Sequence, residues 1–332
     1  MLEKNPHISL PIERLVPRVL GITPEELSSW PDDARELAVS LAAECFLVRY
    51  NPFVNPEEVR QSVDARLSAA RPTAWGDYPG TLRSAVDRFW RQYDEDMRFK
   101  ERVLLRLSEF LPDECLTQHT GSLVECSTDA TDLRMELPML VLSPLSTAHI
   151  QGIVRLAGEM GFYVVPRGGG SGLTGGAIPA RRRSVILSMS RMKAITSVDA
   201  EKKLLCAQTG VITLTAIAAA ARKNLLLTVD PASKAASSLG GNIAENAGGP
   251  FCFEYGTTLD NIHSYTMVLP DARVIEVRRR DHPRHKILPE ETAVFDIYDR
   301  DGTLTETISL AGGEIRGPGL GKDVSNKYLG GL

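Results

Sequence analysis

Through the first third of the chain, apolar residues recur every three or four positions, the period of a helix with one buried face. Pro31-Asp32-Asp33 starts one such run, which continues through Ala34 to Cys45. Pro56-Glu57-Glu58 opens a second, with acids in the first turn where they complement the helix dipole. A third pattern spans Thr81 to Leu111 as one helix or two. It carries Leu82, Ala85, Val86, Phe89, Trp90, Tyr93, Met97, Val103, Leu104 and Leu107, and Pro112 stops it. Trp90 and Tyr93 sit on its apolar face and read as core. Ser68 to Gly80, rich in Ala, Pro and Gly, reads as a connector. Residues 1–130 are thus expected to form a helical region with no evident chemistry.

Near residue 136 the period changes. Pro138 to Leu142 is a short apolar strand, and Ser146-Thr147 caps a helix over Ile150, Ile153, Val154, Leu156, Ala157 and Met160 that Gly161 ends. Phe162 to Val165 is a second strand, so the segment reads as a strand–helix–strand unit with parallel neighbours. Further strands are expected at 184–189, 195–198 and 203–207, then a helix at 214–223 whose alanines allow close packing on a sheet. Tyr265 to Leu269 and Val274 to Val277 form a hairpin-like pair. Asp299-Arg300-Asp301-Gly302 joins two alternating runs, a strong hairpin signal.

Composition bounds the answer without deciding it. The 332 residues, 43% hydrophobic, suffice for two domains or for one large domain with an extension. A formal charge of −4 gives no support for nucleic-acid binding. The basic run Arg278-Arg279-Arg280, with His282, Arg284, His285 and Lys286 after it, reads as a solvated loop. Five cysteines, none at C-x-x-C spacing, suggest a reduced cytoplasmic chain with no disulfide framework and no metal ligand set. Met1 to Leu20 lacks the apolar core of a signal peptide, and Leu214 to Leu227 is too short and too charged to cross a bilayer. The expectation is a soluble chain with no transmembrane segment, peripheral membrane association being left open.

Two stretches carry candidate chemistry. The first, Gly168 to Gly176, holds six glycines in nine positions and follows an apolar strand. Glycine costs backbone entropy and packs nothing, so the cluster points to turns at positive φ or to bare N–H groups held against an anion. A P-loop would end in Gly-Lys-Ser/Thr, whereas Gly175-Gly176-Ala177-Ile178 stands here. Gly170-x-Gly172-x-x-Gly175 fits the Rossmann fingerprint literally, but Pro179, Arg181 to Arg183 and a strand follow instead of a helix and a ribose-binding acid. The second stretch, Asp230 to Gly249, has two Gly-Gly pairs, two Asn and many small residues. Such a surface lets a flat ligand lie against backbone, with Asn side chains and freed N–H groups meeting its polar edge. A surface loop with turn glycines is the competing reading of either stretch alone.

Together, Pro166-Arg-Gly-Gly-Gly-Ser-Gly-Leu-Thr-Gly-Gly176 and Asp230-Pro-Ala-Ser … Gly240-Gly-Asn … Asn246-Ala-Gly-Gly … Tyr255-Gly-Thr-Thr258 resemble the FAD domain of the vanillyl-alcohol oxidase / p-cresol methylhydroxylase superfamily. The similar branch is the glycolate oxidase FAD-subunit and D-lactate dehydrogenase type. The resemblance implies an α+β fold: a helical N-terminal region, then a two-subdomain α+β FAD-binding domain over 136–332. It implies that Gly168, Gly169, Gly170, Ser171, Gly172, Leu173, Thr174 and Gly175 hold the FAD pyrophosphate, with Arg167 also among the cofactor-binding residues. Pro231, Ser237, Ser238, Gly240, Gly241, Asn242, Asn246 and Gly248 would lie along the rest of the FAD, ring included. Covalent members often carry His where Gly170 stands, so noncovalent FAD is implied.

The stretches Asp129 to Pro138 and Gly319 to Gly331 resemble a bacterial subgroup whose large proteins add a cap domain and a cysteine-rich iron–sulfur part. In the family a further strand and the cap, with the catalytic residues, follow such an ending. The chain stops at Leu332, so it is expected to be a truncated form, incomplete at its FAD site and with an unpaired sheet edge. The implied reaction is hydride transfer from the Cα of a 2-hydroxy acid such as D-lactate or glycolate to FAD. An electron-acceptor partner or a downstream iron–sulfur domain would then take the electrons. No catalytic residue is assigned, and His149 and His263 read as structural. Two rival readings stand: another reaction on the same flavin fold, such as enoyl reduction of a UDP-sugar or oxidation of a phenol or alcohol, and a noncatalytic FAD-binding or assembly fragment of a larger flavin/iron–sulfur protein.

Overall fold

The computed structural model describes residues 12–70, 77–131 and 136–315. The stretch at 319–331 and part of that at 129–138 lie outside the described residues, as does the middle of the expected connector. The chain divides into two compact units, Met1–Arg102 and Val103–Leu332.

The first unit is helical: α1 (Ile12–Leu20), α2 (Pro24–Ser28), α3 (Asp32–Tyr50), α4 (Pro56–Ala69) and the first part of α5 (Tyr78–Ser108). Helix starts follow local chemistry. Thr23 caps α2 by accepting from the Glu26 amide. Asn55 Oδ1 accepts from the Glu57 amide, and Pro56 needs no donor at the first helical position. The apolar stripes of these helices meet in one core, which includes Val16, Ala38, Leu41, Val63, Leu82, Val86 and Trp90. The long third pattern is a single helix, because nothing in its 31 residues breaks the ladder after Pro79.

The second unit is α+β. In chain order it contains β1 (Leu116–Thr117), α6 (Thr120–Glu125), β2 (Leu140–Leu142), α7 (Thr147–Met160), β3 (Tyr163–Arg167), β4 (Ser184–Ser188), β5 (Ile195–Asp199), β6 (Leu204–Ala207) and α8 (Thr213–Ala221). Then come α9 (Leu239–Ala244), α10 (Cys252–Tyr255), α11 (Thr258–Asn261), β7 (Ser264–Val268), β8 (Val274–Arg279), β9 (Thr292–Asp299), β10 (Leu304–Ala311) and α12 (Gly312–Ile315). One sheet has the order β1-β2-β4-β3, with β4 parallel to both β2 and β3. A second, fully antiparallel sheet has the order β10-β9-β8-β7, and β5 pairs with β6 alone.

The unit β2–α7–β3 is therefore parallel, as the pattern predicted, but its strands are not neighbours. β4 enters between them, and its run of Val185, Ile186 and Leu187, all but fully buried, suits a strand covered on both faces. Helix α7 begins and ends as its sequence dictates. Ser146 Oγ accepts from the His149 amide, and Gly161 closes the helix at φ +78°. In the second sheet, Ile275, Val277, Ala293, Phe295 and Leu310 form the core with Ile287.

The basic run is only in part the expected solvated loop: residues 280–286 lie outside helix and strand, but Arg278 and Arg279 end β8. Alternation along β8 places Ile275, Val277 and Arg279 on the buried face. Arg279, 6% exposed, is held by a bidentate pair to Asp281 at 2.8 and 2.9 Å and donates to the Asp260 carbonyl at 2.9 Å. Arg278 pairs with Glu276, and Arg280 with Asp296. The cluster of positive charge visible in the sequence is thus neutralised locally, because a buried guanidinium is tolerated only when paired and hydrogen-bonded.

Candidate functional site

The site grows from the C-terminal end of β3. The strand ends on Arg167, and the glycine stretch leaves from there across the middle of the second stretch. A Cβ added to Gly168 would overlap Ser238 Oγ, and one on Gly169 would overlap the Ala236 carbonyl oxygen. The two glycine stretches, some seventy residues apart in the chain, therefore touch backbone to backbone. Gly170 and Gly175 adopt φ of +64° and +76°, a region that L-residues with side chains rarely enter. Gly172 differs from these. A Cβ there would meet nothing within 4 Å, so no neighbour among the described residues requires glycine at that position.

Among the described residues, none of the amides from Gly169 to Gly176 donates to a protein acceptor. Thr174 Oγ1 reaches Glu245 Oε2 at 3.3 Å, linking the far end of the loop to the second stretch, while Leu173 is 76% exposed. Ser171 is half-buried. Arg167 turns inward: its Nη1 donates to the Thr128 carbonyl at 2.8 Å and to the Ala177 carbonyl at 3.1 Å.

The second stretch is built around a residue that the sequence did not single out. The Thr213 hydroxyl, fully buried, donates to the Ser237 carbonyl at 3.1 Å, lies 2.8 Å from Ser237 Oγ and accepts from Asn242 Nδ2 at 2.8 Å. Its partners lie 24 and 29 positions away, so no local pattern announces it. Thr209 is similarly hidden: its Oγ1 occupies the place that a Cβ on Gly240 would need. Ser238 Oγ accepts from the Gly241 amide at 3.2 Å, and Asn246 Oδ1 accepts from the Leu259 amide at 2.9 Å. Thus Ser237, Ser238, Asn242 and Asn246, all buried, engage their side chains in shaping the stretch. What the stretch offers outward is largely backbone, with the buried ring of Pro231 at its start. Gly248 packs on Cys252, whose Sγ lies 2.9 Å from the Gly249 amide.

The electrostatics are mixed. Burial pushes the Cys126 thiol up, with Arg167 opposing. Asp230, 8% exposed at the head of the second stretch, pairs with Lys234 through Oδ2 at 3.2 Å. Its Oδ1 is buried with no hydrogen-bond partner among the described residues, and it lies against Gly249. Burial pushes the His263 imidazole down, helped by His282, Arg278 and Arg279 and opposed by Asp281; its ring stacks on His282 at 5.9 Å. The His149 amide donates to the cap of α7.

A dinucleotide with a pyrophosphate and a flat ring system fits these residues. Among the described residues, the loop presents amides without acceptors and an unfilled space at Gly172, and the second stretch presents small residues and one buried acceptor without a donor.

Residues 138–278 match the family described as FAD binding domain. The glycolate oxidase subunit GlcD of Escherichia coli K12 is 34% identical over 48% of this chain and 32% of its own length. A D-lactate dehydrogenase of Anaerostipes hadrus is 33% identical over 42% of this chain and 29% of its own. A D-2-hydroxyglutarate dehydrogenase of Xanthomonas citri is 30% identical over 52% and 37%. The chain thus spans about a third of the length of the curated relatives it matches. Among the described residues no helix is long and apolar enough to cross a membrane. The two glycine stretches thus close on each other inside residues 138–278, the segment that matches the FAD binding domain and that is similar to these FAD-linked relatives.

Proposed function

We propose that this chain supplies the FAD-binding part of an oxidoreductase that converts a 2-hydroxy acid, of the glycolate or D-lactate kind, to the 2-oxo acid. One observation carries the reading: the two glycine stretches meet backbone to backbone while the amides of 169–176 keep no protein acceptor among the described residues. The substrate class is supported by the relatives, which are enzymes of glycolate, D-lactate and D-2-hydroxyglutarate, all 2-hydroxy acids. When bound, FAD supplies the acceptor for the hydride equivalent leaving the substrate Cα.

The chain's own contribution is positional. Amides from Gly169 to Gly175 receive the pyrophosphate, and the loop flanks, Arg167 and Gly168, fix where they point. Pro231 and the backbone at Ser237, Ser238, Gly240, Gly241, Asn242, Asn246 and Gly248 lie along the remainder of FAD. Glycine at position 170 offers no nucleophile, so FAD is held noncovalently. The substrate's hydroxyl proton leaves to a base outside these residues, and the electrons leave to an acceptor partner or an iron–sulfur domain in a reducing, cytoplasmic setting.

Titration of the purified chain with FAD, read by flavin fluorescence, tests the cofactor site. Acid precipitation should release all the flavin. Anaerobic addition of glycolate, D-lactate or D-2-hydroxyglutarate should then bleach the bound flavin. Binding without bleaching by any of the three would favour a noncatalytic FAD-binding part. Failure to bind FAD at all would overturn the reading.

A further inference from the structure

Arg167 ends β3 at the mouth of the glycine loop, where a cation reads most simply as a phosphate ligand. Its geometry is different. One nitrogen, Nη1, donates to two carbonyls: that of Thr128, in the segment after α6, and that of Ala177, the residue that closes the loop ten positions on. Gly170 lies across the rest of the guanidinium, so that a Cβ at 170 would overlap Nη2 and Cζ. The side chain thus ties both ends of the loop together and forms the floor under its left-handed turn.

The planar, rigid fork of Arg suits this task. It meets two carbonyls with fixed geometry and presents a flat face to Gly170, which the point charge of Lys cannot do. A loop rich in glycine has the most conformational freedom to lose, so a brace that fixes it before the ligand arrives reduces the ordering cost of binding. We propose that Arg167 is a positioning residue, the internal brace of the loop at 168–176, and that it sets the loop's affinity for a pyrophosphate through the backbone. The second half of this proposal rests on the FAD reading above; the first does not.

Two measurements on the full chain separate the parts. Thermolysin cleaves before exposed apolar residues, and Leu173 at the loop tip is 76% exposed; Leu226, 58% exposed outside the loop, serves as the internal control. In apoprotein, R167M should speed cleavage at Leu173 relative to Leu226 by about tenfold or more, and R167K should fall between R167M and wild type. ADP, which carries the pyrophosphate without the flavin, and FAD should both bind R167M at least about tenfold more weakly, with partial rescue in R167K. Weaker ADP binding with unchanged cleavage at Leu173 would make Arg167 a direct ligand and overturn the brace. Unchanged values in both assays would overturn it as well. If wild type binds neither ADP nor FAD, the cofactor reading fails while the cleavage ratio still decides the brace. Should R167M not fold, R167K carries the same comparison.

Discussion

Glycines of the same loop make opposite demands at the level of single residues. A Cβ at Gly169 collides with the Ala236 carbonyl, whereas one at Gly172 points into open space. G169A should therefore lower apoprotein stability by about 1–3 kcal/mol, because backbone must move. G172A should leave it within about 0.5 kcal/mol while weakening FAD binding. Thermal melts paired with FAD titrations check both, and a G172A variant with wild-type affinity would show that this position does not face the cofactor. His263 gives a pH signature. Its folded pKa lies below the ordinary 6.5, chiefly through burial. The unfolded chain then binds more protons in the window between the two values. Stability is fully present above about 6.5 and is lost as pH falls through that window toward the depressed folded value. Denaturant melts of wild type from pH 7 to pH 5 should show this loss, about those bounds, and H263Q should flatten the slope. Arg167, Gly168 and the residues of the loop were all nameable from the sequence. Thr213 and Thr209 were not, since each acts through partners brought near only by folding.

Among the elements, the local code was largely sufficient. The Ser146 cap, the Gly161 stop and the Asp299–Gly302 turn all stand where their residue types put them. Two readings needed the fold to correct them. The partners of β2 and β3 are not each other, because a third apolar strand, β4, pairs with both and takes the place between them. The start of the basic run, Arg278 and Arg279, is a strand end and the rest a loop, because the period-two alternation of β8 outranks the charge of Arg279 once Asp281 and the Asp260 carbonyl are near. The central place of β4 has an energetic consequence. I186V should cost about 0.5–1.5 kcal/mol and I186A about 2–5, with the loss read by denaturant melts of the second unit. A cost of I186A near zero would deny β4 its role in positioning the end of β3.

Over the whole molecule, FAD binding belongs to the second unit, since the matched segment and both glycine stretches lie inside Val103–Leu332. Mass action then predicts that FAD at about 100 times its Kd stabilises that unit by about 2.7 kcal/mol. Pulse proteolysis with peptide mapping across 140–311 should show this protection, and its absence would place the binding energy elsewhere. The sequence by itself determined most of the long helices and strands, because periodicity, caps and turn residues act over a few positions. It also marked the two stretches as the candidates for chemistry, because glycine clusters cost backbone entropy and pack nothing. Only the tertiary structure decided that those stretches close on each other and that Ser237, Ser238, Asn242 and Asn246 turn their side chains inward. It alone showed that Arg167 points beneath its loop. Each of these depends on contacts between residues far apart in the chain, whose energies no local pattern encodes.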